Sequence, residues 1–298
     1  MKLQTPVADA PCKVGISYKD RIMMLGSCFS DNIGKQLQDL GFNVCVNPFG
    51  TLYNPESILS AIRRLVSGEP FMEKDCVKIG AGDQRTCSFF HHTSHARTTQ
   101  EDFLRDANLS LDEAVNFFKD CNKIIITLGT SWCYRHVEKD MIVSNCLKHP
   151  AREYVREFLP SGRTAAILRE IMDICSSGNG IYPKEFIFTV SPIRHFKDGA
   201  HGNQVSKASL LVGIDSTLRQ NDISQEACLV RADYFPAYEI MMDELRDYRF
   251  YAEDMCHPSA QAVNYIRERF LNWALPEDEH RTLEENISAF LRRSHITH

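Results

Sequence analysis

The sequence predicts a mostly parallel α/β fold in which helices cover both faces of a five-stranded sheet. Short apolar, β-rich runs alternate with amphipathic helical stretches along the chain. The runs are nearly continuous in Ile, Val, Phe and Leu, as strands covered on both faces require. A length of 298 residues leaves room for one large core with insertions.

The strands are expected at Arg21 to Gly26, Asn43 to Asn47, Lys123 to Gly129, Glu185 to Ser191 and Cys228 to Arg231. Between them, Ser30 to Leu40, Pro55 to Val66, Leu111 to Asp120, Ala151 to Cys175 and Val205 to Gln220 read as helices, each with apolar residues at helical spacing. Two stretches fall outside this alternation: Ser67 to Thr99, rich in Gly, Asp and His, and Tyr134 to Pro150. Insertions at the carboxyl end of a parallel sheet commonly build substrate walls or lids. Ser259 to Leu275 and Glu277 to Arg293 form an amphipathic helical tail. No repeat, low-complexity segment or linker divides the chain, so one domain spanning 1–298 is expected.

Composition narrows the function. Apolar residues make up 43% and charged residues 24%, values ordinary for a soluble protein, and no run is long enough to span a bilayer. A net charge of -5 without a large basic block argues against nucleic acid or an anionic membrane as partner and favours a small neutral or weakly charged substrate. Eleven cysteines are scattered without the two-residue spacing of zinc or redox motifs. They are expected to be reduced and mostly buried, and Met1 to Pro11 lacks the apolar segment of a secretory signal, so the expected location is cytoplasmic.

Two motifs carry chemistry. Near the end, Asp254 stands three residues before His257, so that on a turn the carboxylate can orient the imidazole as a base. Far upstream, Arg21 to Gly26 runs into Ser27-Cys28-Phe29-Ser30 and a helix start. There a nucleophile is lifted out of the sheet beside free backbone N–H groups, which stabilise an oxyanion or a thiolate. The structural alternative is that Ser27 or Ser30 caps the helix and Cys28 fills a gap.

Gly26-Ser27-Cys28-Phe29-Ser30 resembles the signature of the GSCFA family. With Asp254-x-x-His257 it also resembles the wider SGNH/GDSL hydrolase superfamily. Further GSCFA-like segments follow in order: Asn47 to Thr51, Thr127 to Trp132, Val143 to Cys146, Val190 to His195 and Tyr248 to Tyr251. The resemblance implies a flavodoxin-like three-layer α/β/α fold and an Asp–His pair at Asp254 and His257. Superposing Gly26 on the superfamily glycine puts Cys28 at the nucleophile position, and a slip of one residue makes it Ser27. Gly50 matches the oxyanion glycine by location. Ser131 stands where the oxyanion asparagine is expected, leaving Asn54 and Asn145 as candidate substitutes.

The other histidines have two readings each. His91, His92 and His95 suit a pocket wall better than a metal site, because Phe89 to His95 reads as a β segment and loop, and no metal is expected. Arg194 and His195 follow the fourth strand, where substrate-binding residues commonly lie, and a purely structural role is the alternative. Tyr248 to Tyr251 and their charged neighbours are expected to support the Asp254 turn. The resulting expectation is an ester hydrolase or acyltransferase working through an acyl-enzyme, plausibly on an O-acetylated carbohydrate. No cofactor is required beyond an acyl donor such as acetyl-coenzyme A if the enzyme is a transferase. The alternatives are a binding protein that keeps the scaffold but has weakened catalysis and, further off, a metal-dependent hydrolase.

Overall fold

Alternating burial along three strands shows how the sheet is sandwiched. In the computed structural model, which describes residues 5–8, 10–177, 183–223 and 230–296, β1 (Arg21–Gly26) sends Met23 and Leu25 into one apolar cluster and Ile22 and Met24 into another. The strand leads into α1 (Cys28–Asp39), β2 (Asn43–Val46), α2 (Pro55–Ser67), the short hairpin β3 (Val77–Lys78) and β4 (Thr86–Cys87), and α3 (Gln100–Asp120). Next come β5 (Lys123–Leu128), then β6 (Trp132–His136), β7 (Met141–Val143), β8 (Tyr154–Phe158) and α4 (Ser161–Ser177). The chain continues through β9 (Glu185–Val190), α5 (Gly199–Ile223), β10 (Ala232–Phe235), the single turn α6 (Ala237–Glu239), α7 (Ala260–Ala274) and α8 (His280–Ile296). Ile124, Ile126, Phe186 and Phe188 repeat the β1 pattern on the first face, with Ile125 and Ile187 on the second.

The main sheet has the order β2-β1-β5-β9-β10, and every pairing is parallel. Counting only these five strands in chain order, this is the 2-1-3-4-5 arrangement of flavodoxin-like folds. Helices α2, α3, α4 and α5 pack on the first face, α1 and α7 on the second. The expected three-layer α/β/α fold is therefore what the chain adopts. Strand order reverses between β1 and β5, so the loops after those two strands diverge and leave a crevice at their carboxyl ends. Among the described residues no helix is long and apolar enough to cross a membrane.

Three expectations about elements are corrected. Ala151 to Cys175 is not one helix: Ala151–Glu153 is a 3-10 turn, Tyr154–Phe158 is β8, and the helix starts at Ser161. Leu159 and Pro160 separate strand from helix, and β8 pairs antiparallel with β6 from Trp132↔Phe158 to His136↔Tyr154. The fifth strand is Ala232–Phe235 rather than Cys228 to Arg231, of which Cys228 and Leu229 lie outside the described residues. Its Asp233 disguises it, since this buried carboxylate accepts the backbone N–H groups of Lys13 (2.6 Å) and Val14 (3.4 Å). Helix α3 begins at Gln100, not Leu111, because Thr99 caps it and Phe103 and Ala107 extend the buried stripe back through a charged run. The tail follows expectation from Ser259, which caps α7, through a 3-10 turn at Glu277–Glu279 into α8.

Close approach fixes the β1–α1 junction. Gly26 has φ +146°, and a Cβ there would lie 2.2 Å from the Thr127 carbonyl oxygen of β5. Gly34 lets α1 lie on the sheet, since a Cβ would meet Val46 at 2.5 Å. Gly26→Ala is expected to cost about 3 kcal/mol or more, because backbone cannot yield as a flexible side chain can; chemical denaturation measures it.

His91 and His95 sit in the first core with Phe49, Phe71 and Phe103 around the His91 ring. Burial holds His91 well below the ordinary 6.5 and His95 down to about 4. The unfolded chain thus binds more protons than the folded one below 6.5. This contribution is intact above 6.5 and is lost as pH falls toward 4, at up to about 1.4 kcal/mol per pH unit per histidine. The urea midpoint should fall from about pH 7 to about pH 5, and less steeply in His91→Asn.

Candidate active site

The turn after β1 is held from the side by one amide. Asn47, buried at the end of β2 with φ +41°, accepts the Gly26 N–H at Oδ1 (2.8 Å) and donates from Nδ2 to Asp31 (2.6 Å). Its own N–H reaches the Met24 carbonyl, so β1, the turn and the first turn of α1 are tied together. Ser27 is the fully buried N-cap of α1, and its hydroxyl accepts the Phe29 N–H at 3.3 Å. Cys28 is half-buried as the first residue of the helix. Burial, followed by the Asp31 charge, raises its thiol pKa, while the N–H groups of Cys28 and Phe29 and the Lys207 charge pull it down. The free N–H groups of a helix start favour a thiolate at that sulfur.

The downstream motif folds as a self-contained turn. Asp254 Oδ1 accepts the N–H groups of Cys256 and His257, both at 2.9 Å, and Oδ2 meets His257 Nδ1 at 2.5 Å. These three bonds hold Asp254 down to about 2, so it stays ionised wherever the imidazole can act as a base. Met255 takes a positive φ of 55° to close the turn. Arg194 clasps it: its N–H donates to the Cys256 carbonyl (3.0 Å) and its guanidinium to the Met255 carbonyl (3.1 Å). With Nδ1 used by Asp254, Nε2 is the nitrogen left for chemistry.

Asp254 and His257 line a cleft of about 570 Å³ at the crevice between β1 and β5, together with Tyr53, Asn54, Trp132, Tyr134, Arg156, Arg194 and His195. His195 packs edge-on against Tyr53, with ring centroids 5.9 Å apart, and its Nε2 is buried without a partner. Burial, then Lys207, holds its pKa down to about 3, so the ring is neutral. Lys207 is wholly buried on α5 and donates to the carbonyls of Gly129 (2.6 Å) and Ser191 (2.7 Å), at the ends of β5 and β9. Burial lowers its pKa to about 7, against the pull of Cys28. Cys28 feels the Lys207 charge, and His195 feels both Lys207 and His257, while Cys28 and Ser27 are not among the residues that line the cleft.

The candidate oxyanion residues are engaged elsewhere. The Gly50 N–H donates to the Asn47 carbonyl at 2.7 Å. Ser131 is buried against α5, its N–H bonded to the Ser206 hydroxyl (2.7 Å) and its hydroxyl to the Ser206 carbonyl (3.0 Å). Asn54 lines the cleft but caps α2 through Ser57. Asn145 also lines it and accepts the Leu147 N–H. Among the described residues, the Tyr53 hydroxyl, by contrast, bonds only with Thr51, from which it accepts at 3.1 Å, and it feels the charges of Cys28 and Asp31.

His91 and His95 are held in the first core, while His92 lies against Gly50 and its charge acts on Asp31 at the start of α1. His91 bonds to the Ser88 hydroxyl at 2.7 Å and packs on phenylalanines, and the cleft wall contains none of His91, His92 and His95. Among the described residues, no group of three His, Cys, Asp or Glu is arranged to hold a metal ion.

The Tyr134 to Pro150 insertion lines the cleft as expected, through Tyr134 and Val143 to Cys146, whereas sequence reasoning missed Tyr53, Lys207 and Arg156. Lys207 had a signal: it falls on the apolar stripe of α5 with Leu210 and Ile214, where an unpaired cation is out of place. Tyr53 had none, because only the loop path brings it beside Cys28.

No curated protein matches the chain significantly. A family model does: the GSCFA family model matches residues 21–270, from the first residue of β1 to the middle of α7 and across both motifs. That membership suggests an SGNH-like, hydrolase-type scaffold, in keeping with the parallel sheet and its switch-point cleft. The chain belongs to the GSCFA family.

Proposed function

We propose that this chain is a thiol-dependent acyl-transfer enzyme that cleaves an ester, an O-acetyl group on a carbohydrate-type alcohol, by way of an acyl-enzyme. The observation that carries the reading is the 2.5 Å bond between Asp254 and His257 Nδ1 on a cleft wall, which leaves Nε2 as the working base. Cys28 is the nucleophile. The complete burial of Ser27 and its capping of α1 favour Cys28 over it.

Cys28 Sγ attacks the acyl carbon and its proton passes to His257 Nε2. The carbonyl becomes an oxyanion, the ester C–O bond breaks, and the departing alcohol oxygen takes the proton from His257. Water or an acceptor hydroxyl then gives a proton to the same nitrogen and attacks the thioester, the C–S bond breaks, and His257 returns that proton to the leaving sulfur, which restores thiol and base. The raised thiol pKa makes the base necessary, since little thiolate exists at neutral pH without it. For the oxyanion, the Cys28 N–H and the Tyr53 hydroxyl replace the missing asparagine; Tyr53 accepts from Thr51, which leaves its own proton to give. Neutral His195 Nε2 is available to the acyl group.

A binding protein of the same scaffold is the second reading, favoured by the engagement of Gly50 and Ser131. Incubation with 4-nitrophenyl acetate and with acetyl-coenzyme A separates the two. Turnover should leave an acetyl adduct on Cys28 in intact-mass and peptide spectra, and Cys28→Ala should abolish it. No turnover and no adduct with either donor would establish the binding reading.

His257→Ala should lower kcat by about 100-fold or more. Tyr53→Phe should lower it by about 100-fold with a smaller change in KM, because the lost donor acts on the transition state. Iodoacetamide labelling of Cys28 should keep rising with pH beyond the ordinary thiol value of 9.0 in His257→Ala.

A further inference from the structure

The cleft carries a local charge opposite to that of the whole chain. Of its two carboxylates, Asp198 is paired with Arg156 through contacts of 2.5 and 2.6 Å, and Asp254 is engaged by the His257 ring and by the N–H groups of Cys256 and His257, so three cationic side chains, Arg156, Arg194 and Lys197, face two carboxylates. Two further cations, Arg194 and Lys197, line the cleft with no carboxylate partner among the described residues. Each is instead held against aromatic rings. The Lys197 ammonium sits 4.8 Å from the Tyr134 ring centre, and the Arg194 guanidinium 4.2 Å from that of Phe196 and 5.1 Å from that of Tyr251. Aromatic faces orient a cation without neutralising it, so both keep their attraction for an anion.

Their position says which part of the substrate they address. Arg194 clasps the Asp254–His257 turn through its N–H and its guanidinium, and Lys197 follows three residues later in the same loop after β9. His257 exchanges its proton with the alcohol oxygen of the ester, so the alcohol fragment lies on that side. Resting on the acyl-transfer reading of the cleft, we infer that the alcohol fragment of the substrate carries an oxyanion group, a carboxylate or a phosphate, held by Lys197 and Arg194 in front of the Tyr134 and Trp132 wall. A chain of net charge -5 otherwise repels such a molecule, and the cleft is where that repulsion is reversed.

The test compares 4-acetoxybenzoate with its neutral methyl ester, and 4-acetoxyphenyl phosphate as the phosphate arm. Wild type should prefer the anionic acetates in kcat/KM by about tenfold, with the preference shrinking as salt is added. Lys197→Ala should lower the anionic-to-neutral ratio by about tenfold, Lys197→Arg should restore it, and Lys197→Glu should invert it. The better of the carboxylate and phosphate arms identifies the oxyanion. Equal kcat/KM for charged and neutral acetates, with a ratio unmoved in Lys197→Ala, would overturn the inference and leave the acyl-transfer reading standing. If no acetate is turned over, the acyl-transfer reading fails and binding decides the charge question. Calorimetric preference for 4-hydroxybenzoate over 4-hydroxybenzamide, lost in Lys197→Ala, would support the anion site, whereas equal binding or none would overturn it.

Discussion

The side-chain amide of Asn47 is the constraint on which the site depends. It satisfies the Gly26 N–H just where β1 stops pairing, and it holds Asp31 on the first turn of α1. Buried peptide groups without partners are costly, so the amide does two things at once: it ends the strand without penalty and sets the direction of the helix. Gly26 makes the bend possible because the Thr127 carbonyl occupies the space of a Cβ. Cys28 therefore reaches the sheet's carboxyl edge on a backbone held from three directions.

Charge at the switch point is arranged around a buried ammonium. Lys207 joins the carbonyl ends of β5 and β9, and β5 is the immediate neighbour of β1, the strand that leads to Cys28. Burial penalises its charge and also that of the Cys28 thiolate, yet each favours the charge of the other. His195, next to both Lys207 and His257, is held neutral by the same burial and so contributes hydrogen bonding without adding charge.

The wall opposite the dyad comes from the antiparallel sheet β7-β6-β8, which interrupts the repeating unit between β5 and α4. Trp132 pairs with Phe158 and Tyr134 with Arg156, so one face of this small sheet is aromatic with a guanidinium laid across it, 5.5 and 4.2 Å from the ring centres of Trp132 and Tyr134. Asp198, from the loop after β9, closes on that guanidinium and joins the insertion to the main sheet. The cleft is thus shaped by an insertion and chemically equipped by the core.

Local physics made much of this legible from sequence. Apolar runs identified four of the five main strands, because Ile, Val and Phe buried on both faces leave no other use for such segments. Asp254-x-x-His257 was legible because the turn closes within itself, through Asp254 bonds to residues two and three positions on. Where a long-range partner decides the conformation, the sequence was silent or misleading. Asp233 looked unsuited to a buried strand until Lys13 and Val14 supplied its donors, and Tyr154–Phe158 became a strand because Trp132–His136 lies beside it. The burial of Ser27 beside a half-exposed Cys28, the engagement of Ser131 by Ser206, and the approach of the Tyr53 loop to the β1–α1 turn are tertiary decisions of the same kind. The sequence by itself determined which residues could do chemistry, since that follows from side-chain type and nearby spacing. Only the tertiary structure decided which of them are uncommitted, because a hydrogen bond to a residue a hundred positions away leaves no periodicity to read.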